Sequence, residues 1–162
     1  MTVGVEGMPK EESDPLLFLT YIALDRVQTG HFRPRFIQRI LSARGKQQAS
    51  KIGALFAARA APIERVLSSR YCRCLDTARI AFEAEPELFA PLDLPKGDDA
   101  QKAAQIAAIM KEIRAYSGSD NLVMVTHLED IVALTGVSPR EGEAVVVEPQ
   151  GDSLRVLGRV TF

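Results

Sequence analysis

The chain has 162 residues, of which 46% are hydrophobic and 25% are charged, and this composition is typical of a single globular domain. Its 20 lysines and arginines nearly balance 21 acidic residues, so the sequence does not predict a broadly basic surface for nucleic acid or membranes. Two cysteines, Cys72 and Cys74, are too few for a disulfide framework or a zinc site, and we expect both to be small buried side chains.

Residues 1–14 are polar and contain glycine, which predicts a loose N-terminal arm in front of one domain spanning residues 15–162. No charged segment followed by an apolar one opens the chain, and no apolar stretch is long enough to span a bilayer. We therefore expect a cytoplasmic protein that does not bind membranes.

Short apolar runs without alternation predict strands that are covered on both faces of a sheet. One such run occupies residues 16–22, and a second occupies residues 63–67. Between them, Ser42 is the predicted N-cap of a helix that extends to about Arg59, because apolar residues recur at helical spacing over this segment.

A second predicted helix follows the second strand directly. Ser68 and Ser69 are its predicted caps, which places Arg73 in its first turn. Residues 83–97 contain three prolines and predict a linker, with a short strand near residues 89–92.

The next part of the chain continues the alternation of strands and helices. Asp98 and Asp99 start a third predicted helix, and residues 121–126 form a third buried strand. A short helix over residues 131–134 is predicted to end before Gly136.

The last two predicted strands, residues 144–147 and 154–160, are joined by a turn at residues 150–152. The complete order of strands and helices predicts an α/β protein. We expect a three-layer α/β/α sandwich around a mostly parallel central sheet.

Ligands of parallel sheets bind beyond the carboxyl ends of the strands, so we expect the site where residues 22–26, 68–73 and 127–130 meet. His127 follows a buried strand directly; this position fits a functional residue and a histidine that is hydrogen-bonded for packing equally well. Arg73 at a helix start fits an anion site, although an exposed helix arginine fits the same spacing.

Several segments resemble, in the right order, the histidine phosphatase superfamily, which has the phosphoglycerate mutase-like fold. The motif L-S-x-x-G-x-x-Q-A occurs at residues 41–49, S-S-x-x-x-R-x-x-x-T-A at residues 68–78, and V-x-V-T-H at residues 123–127. The C-R-C-L form at residues 72–75 is typical of a short bacterial subgroup of that family. The resemblance covers residues 16–162, and its strength lies in the ordered set of motifs.

The activity of that family is phosphoryl transfer, in which a histidine of an R-H motif at the end of the first strand attacks phosphorus. The resemblance implies that Arg73 and His127 are the second arginine and second histidine that bind phosphate, with Ser69 in the same phosphate-binding segment. Tyr21 stands where the first arginine belongs, and Ile22 stands in the place of the nucleophile. Isoleucine has no lone pair, so no phosphohistidine intermediate can form there.

Glu129 and Asp130 follow His127 at the predicted start of a helix. There they either take the positive dipole end that an anion would use or serve as ordinary first-turn acids. We predict a pseudophosphatase with a residual phosphate-type pocket at Arg73 and His127. The alternatives are a phosphomonoesterase of weak or altered activity, in which His127 is the base and Arg73 holds the phosphate, and a non-catalytic interaction protein on the same scaffold. We expect a phosphorylated or other small molecule, or a protein, as partner, and we expect no nucleic acid, cofactor or metal.

Overall fold

The computed structural model describes residues 17–20, 41–59 and 61–161 of the chain. The six strands in this part are β1 (Leu17–Thr20), β2 (Ile63–Ser68), β3 (Glu87–Leu88), β4 (Asn121–Val125), β5 (Ala144–Gln150) and β6 (Ser153–Val160). The four helices are α1 (Ala43–Ala58), α2 (Cys72–Phe82), α3 (Asp99–Ala115) and α4 (Leu128–Thr135). The predicted arm, residues 1–14, lies outside the described residues, so its separation from the domain stays a prediction.

The described strands form one sheet in the order β3-β2-β4-β1-β5-β6. The first four of these run parallel to one another, whereas β5 is antiparallel to β1 and β6 is antiparallel to β5. The predicted mostly parallel α/β architecture is therefore confirmed. Because β1, β2 and β4 are neighbours and parallel, their carboxyl ends lie side by side at one edge of the sheet.

Strand β4 shows how the sheet separates two hydrophobic cores. Its side chains alternate between the faces: Leu122 and Met124 pack in a core with residues of α3 and α4, whereas Val123 and Val125 pack in a core with residues of α1 and α2. A strand covered on both faces needs apolar residues at every position, which is why an unbroken apolar run predicted it correctly.

Two of the predicted helix starts are confirmed by their caps. The Ser42 hydroxyl accepts a hydrogen bond from the Gly45 N–H at 3.0 Å in front of α1. Asp98 and Gln101 form a reciprocal capping box at the start of α3, with hydrogen bonds of 2.8 and 2.9 Å. Each cap satisfies N–H groups that the first helical turn leaves without a partner.

The prediction was wrong about the start of α2. Its N-cap is Tyr71, which makes no side-chain capping bond, and α2 begins at Cys72. Ser68 is the last residue of β2. The hydroxyl of Ser69 accepts from the N–H of Tyr71 at 3.3 Å and otherwise bonds to side chains outside the helix, so it caps no N–H within α2. Arg73 still lies in the first turn of α2.

Two smaller expectations were also wrong. Cys74 is buried as expected, but Cys72 is exposed, because side chains two residues apart on a helix point to different sides of it. The short strand expected at residues 89–92 is instead β3, followed by a 3-10 turn at Ala90–Leu92. Pro91 has no N–H to donate to a strand ladder, so it fits the turn better than a strand.

Candidate functional site

The carboxyl ends of β2 and β4 bring a serine, an arginine and a histidine into contact. Ser69 follows β2 directly, Arg73 lies in the first turn of α2, and His127 is the N-cap of α4. The Ser69 Oγ is 3.0 Å from His127 Nε2, and Arg73 Nη2 is 2.7 Å from His127 Nδ1. The structure thus places together the three side chains for which the family resemblance implies phosphate binding.

Strand pairing explains why these side chains meet. Ser68 pairs with Val125 in the ladder between β2 and β4, and the Ser69 N–H donates to the Val125 carbonyl at 3.0 Å. The two strands therefore end at the same level of the sheet, and the residues that follow them lie next to one another.

The contacts of His127 determine where its ring carries a proton. A guanidinium can only donate, so Nδ1 accepts from Arg73, and the proton of the neutral ring lies on Nε2 and points to Ser69. Burial, with a smaller effect of the nearby Arg73 charge, lowers the pKa of His127 to about 4. The imidazole is therefore neutral at neutral pH.

A carboxylate, Asp93, ends this line of hydrogen bonds. Its Oδ1 accepts from the Ser69 hydroxyl at 3.0 Å and from the Arg70 N–H at 2.8 Å, while its Oδ2 accepts from Arg70 Nε at 2.8 Å. Partial burial opposes ionisation, but the hydrogen bonds from Arg70 and Ser69 outweigh it and hold the pKa of Asp93 below its ordinary value. Sequence reasoning missed Asp93, because a single acid in a proline-containing linker carries no motif.

Two cations flank the ring of Tyr71 at the rim of the site. The Arg73 guanidinium carbon is 5.0 Å and the Lys96 Nζ is 5.5 Å from the ring centroid. The same ring packs edge-to-face on His127, with centroids 5.0 Å apart. In the part of the chain that the structure describes, neither Arg73 nor Lys96 forms a salt bridge with a carboxylate.

The two acids after His127 lie in different environments. Glu129 is exposed, whereas Asp130 is fully buried and its Oδ2 lies 2.5 Å from the Thr126 hydroxyl. Burial raises the pKa of Asp130 to about 7, although its contact with the Thr126 hydroxyl acts in the opposite direction. Both acids are in the first turn of α4, as the sequence predicts, but their side chains occupy different surroundings.

Tyr21 and Ile22, the predicted replacements of the arginine and the nucleophile, lie outside the described residues. The last described residue before them, Thr20, pairs with Val125 of β4. Their proposed place in the pocket therefore stays a prediction from the sequence.

Other features of the described chain do not add to this site. Within the described ranges, no group of three or more histidine, cysteine, aspartate or glutamate side chains is placed to hold a metal ion. None of the described helices has the length and apolarity needed to cross a membrane. A groove of about 610 Å³ between the C-terminal parts of α1 and α2 and the start of β2 contains none of the residues around His127.

Comparison with known proteins identifies the fold. No protein-family model matches the chain, and no curated protein matches its sequence significantly. The protein histidine phosphatase SixA, complexed with tungstate, matches with a TM-score of 0.64 and 17% identity, over 90% of this chain and 96% of that one. A phosphoglycerate mutase from Thermus thermophilus matches with a TM-score of 0.61 and 18% identity, over 91% of this chain and 99% of that one.

A phosphoserine phosphatase from Entamoeba histolytica, a histidine-to-alanine mutant in complex with phosphoserine, also matches. Its TM-score is 0.63 at 14% identity, over 90% of this chain and 96% of that one. The chain therefore has the phosphoglycerate mutase-like fold of histidine phosphatases, and the resemblance seen in the sequence is confirmed at the level of the fold.

Proposed function

We propose that this protein is a pseudophosphatase that binds a phosphate-type anion in a residual pocket at Arg73 and His127. The observation that carries the proposal is the contact of these two side chains, 2.7 Å apart, at the carboxyl edge of a parallel sheet. A guanidinium in the first turn of a helix combines a forked donor with the positive end of the helix dipole, and both favour anions. Without a salt bridge to a described carboxylate, the Arg73 charge is available to a ligand.

The chemistry of the residues argues against turnover. In the alignment with the family's first motif, Ile22 occupies the nucleophile position, and isoleucine cannot attack phosphorus. His127 is a poor substitute as general base, because a pKa of about 4 makes it weakly basic at neutral pH and its Nδ1 lone pair faces Arg73. Its contact with Ser69 does not activate that hydroxyl either, since Nε2 carries the proton and cannot accept another.

The solved relatives suggest suitable probes. SixA holds tungstate, and the phosphoserine phosphatase mutant holds phosphoserine although one of its histidines is alanine. Loss of a histidine is therefore compatible with ligand binding in that protein. Phosphate and tungstate are therefore suitable probes for this chain. Its cytoplasmic location stays a prediction from the sequence.

The test is calorimetric titration of the purified protein with phosphate and with tungstate. We expect Arg73→Gln to weaken binding by at least about tenfold, because one charged hydrogen bond contributes roughly 1.5–3 kcal/mol. The matched control is Arg114→Gln, which removes the same charge from α3, where the arginine pairs with Asp152 at 3.0 Å. Absence of binding by the wild type would contradict the proposal and favour the interaction protein.

The same preparations are assayed for hydrolysis of a generic aryl phosphate. We expect no release of product above the buffer rate. Turnover that disappears in His127→Ala would contradict the pseudophosphatase proposal and favour a phosphomonoesterase of altered mechanism.

A further inference from the structure

A second group of polar contacts is buried beneath the site. The Thr126 Oγ1 lies 3.0 Å from the Leu92 carbonyl oxygen and 2.5 Å from the Asp130 Oδ2. All three residues are at most 2% exposed, so bulk solvent does not reach their polar groups. These contacts join the end of β4, the start of α4 and the segment that leads to Asp93.

Counting hydrogens shows which group must carry a proton. A threonine hydroxyl has one hydrogen, and a carbonyl oxygen can only accept. If Thr126 donates to Leu92, the contact with Asp130 is a hydrogen bond only when the carboxyl group donates to the Thr126 oxygen. Both contacts are therefore satisfied together when Asp130 is a neutral carboxylic acid.

The amide of Gln105 offers little stabilisation to an ionised Asp130. Gln105 Nε2 has two hydrogens, and it lies 2.8 Å from the Pro91 carbonyl and 2.5 Å from the Asp93 carbonyl, but 3.5 Å from Asp130 Oδ1. An ionised Asp130 would thus gain little from this amide.

The charges around Asp130 also disfavour its ionisation. Burial is the largest cause of its raised pKa, and the carboxylates of Glu129 and Asp93 add to it, whereas the contact with Thr126 and the His127 backbone N–H act in the opposite direction. The raised pKa of Asp130 agrees with the neutral form inferred above from the hydrogen-bond distances, and that inference does not depend on the pKa.

We propose that Asp130 acts as a neutral acid that fixes residues 92–93 through Thr126, and that its ionisation loosens the line of hydrogen bonds from Asp93 through Ser69 to His127. Asp130 is thus a positioning residue that makes anion binding depend on pH. The ligand-binding part of this inference rests on the proposed function, whereas the protonation of Asp130 does not.

The protonation is tested directly by carbon-13 NMR of the wild-type protein with labelled aspartate carboxyl groups. The Asp130 signal is assigned by its loss in Asp130→Asn. We expect its titration midpoint near pH 7, well above the ordinary aspartate value of about 3.9. A midpoint at or below the ordinary value would overturn the inference.

The positioning role is tested by calorimetric titration with sulfate at about pH 5.5 and at about pH 8.5. The charge of sulfate is the same at both pH values, whereas an acid with a midpoint near 7 changes from neutral to ionised between them. We expect the wild type to bind sulfate at least about fivefold more weakly at the upper pH, as typical coupling between linked sites predicts. Asp130→Asn should keep the tight binding at both pH values, because an amide still donates to Thr126 but does not ionise.

Two further variants separate positioning from charge. Thr126→Val should bind weakly at both pH values, whereas Thr126→Ser should restore the wild-type profile. Glu129→Gln removes an equal charge from the same helical turn and should retain the loss of affinity at high pH. A wild-type-like loss in Asp130→Asn would overturn the positioning role. If sulfate does not bind at all, the proposed function fails, and the NMR midpoint still decides the protonation of Asp130.

Discussion

His127 and Asp130 lie three residues apart, and burial shifts their pKa values in opposite directions. Removal from water disfavours whichever form is charged, so it lowers the pKa of His127 to about 4 and raises that of Asp130 to about 7. Between these values both side chains are neutral in the folded protein. In the unfolded chain, with ordinary pKa values of about 6.5 and 3.9, both would be largely charged over most of this range.

These two residues should have opposing effects on stability between about pH 4 and about pH 6.5. The unfolded histidine binds a proton that the folded one does not, so its contribution to stability increases with pH. The folded Asp130 keeps a proton that the unfolded one releases, so its contribution decreases with pH. As pH rises, we expect the free energy of unfolding of Asp130→Asn to increase relative to that of the wild type, and that of His127→Gln to decrease relative to it. Each difference should change by up to about 1.4 kcal/mol per pH unit.

The measurement is the free energy of unfolding in urea at a series of pH values, taken as the difference between variant and wild type. The difference cancels the contributions of all other titrating groups. Glu129→Gln, at an exposed neighbouring acid, is the control and should give a far smaller slope. A difference for Asp130→Asn that does not vary with pH would contradict the prediction.

At the scale of secondary structure, the sequence predicted the elements that local chemistry determines. Ser42 caps α1, Asp98 caps α3, and the unbroken apolar run of β4 identifies a strand covered on both faces. Ser69 was misassigned as a cap because serine is both a good cap and a good hydrogen-bond partner in a site. In the folded protein the Ser69 hydroxyl donates to Asp93, which is distant in the sequence and comes into contact with Ser69 only through the tertiary fold.

The contact between α1 and α2 is another feature that the sequence did not reveal. Gly53 in α1 lies so close to α2 that an added Cβ would be 1.9 Å from the Ala81 carbonyl oxygen. The glycine is therefore required by close approach of two backbones, although glycine disfavours helix formation.

We expect Gly53→Ala to destabilise the protein by about 1–3 kcal/mol, the usual cost of overpacking, despite the better helix propensity of alanine. Thermal unfolding followed by circular dichroism measures the effect. Ser50→Ala, at an exposed position one turn earlier in α1, is the control and should be neutral or slightly stabilising. An unchanged midpoint for Gly53→Ala would show that the two helices separate without cost.

At the scale of the whole molecule, the strand order determines which parts of the chain can form one site. Strands β2, β4 and β1 are adjacent and parallel, so their carboxyl ends lie at the same edge of the sheet. Ser69 and Arg73 follow β2, and His127 follows β4. The order of the motifs predicted this arrangement of distant segments, whereas the hydrogen bonds to Asp93 depend on the path of a linker that no motif fixes.

The strand order also suggests a repair of the site. Tyr21 and Ile22 follow Thr20, whose partner Val125 lies two residues before His127. We expect Tyr21→Arg combined with Ile22→His to tighten phosphate binding before it restores turnover, because affinity needs positive charge whereas catalysis needs placement within a fraction of an ångström. The new polar groups should also lower stability, since burying them without partners costs several kcal/mol.

Phosphate affinity is measured by calorimetry on variants that circular dichroism shows to be folded, with Tyr21→Ala combined with Ile22→Ala as the uncharged control. An unchanged affinity in the well-folded repaired protein would mean that these side chains do not face the pocket, and the alignment of the first motif would have to be abandoned.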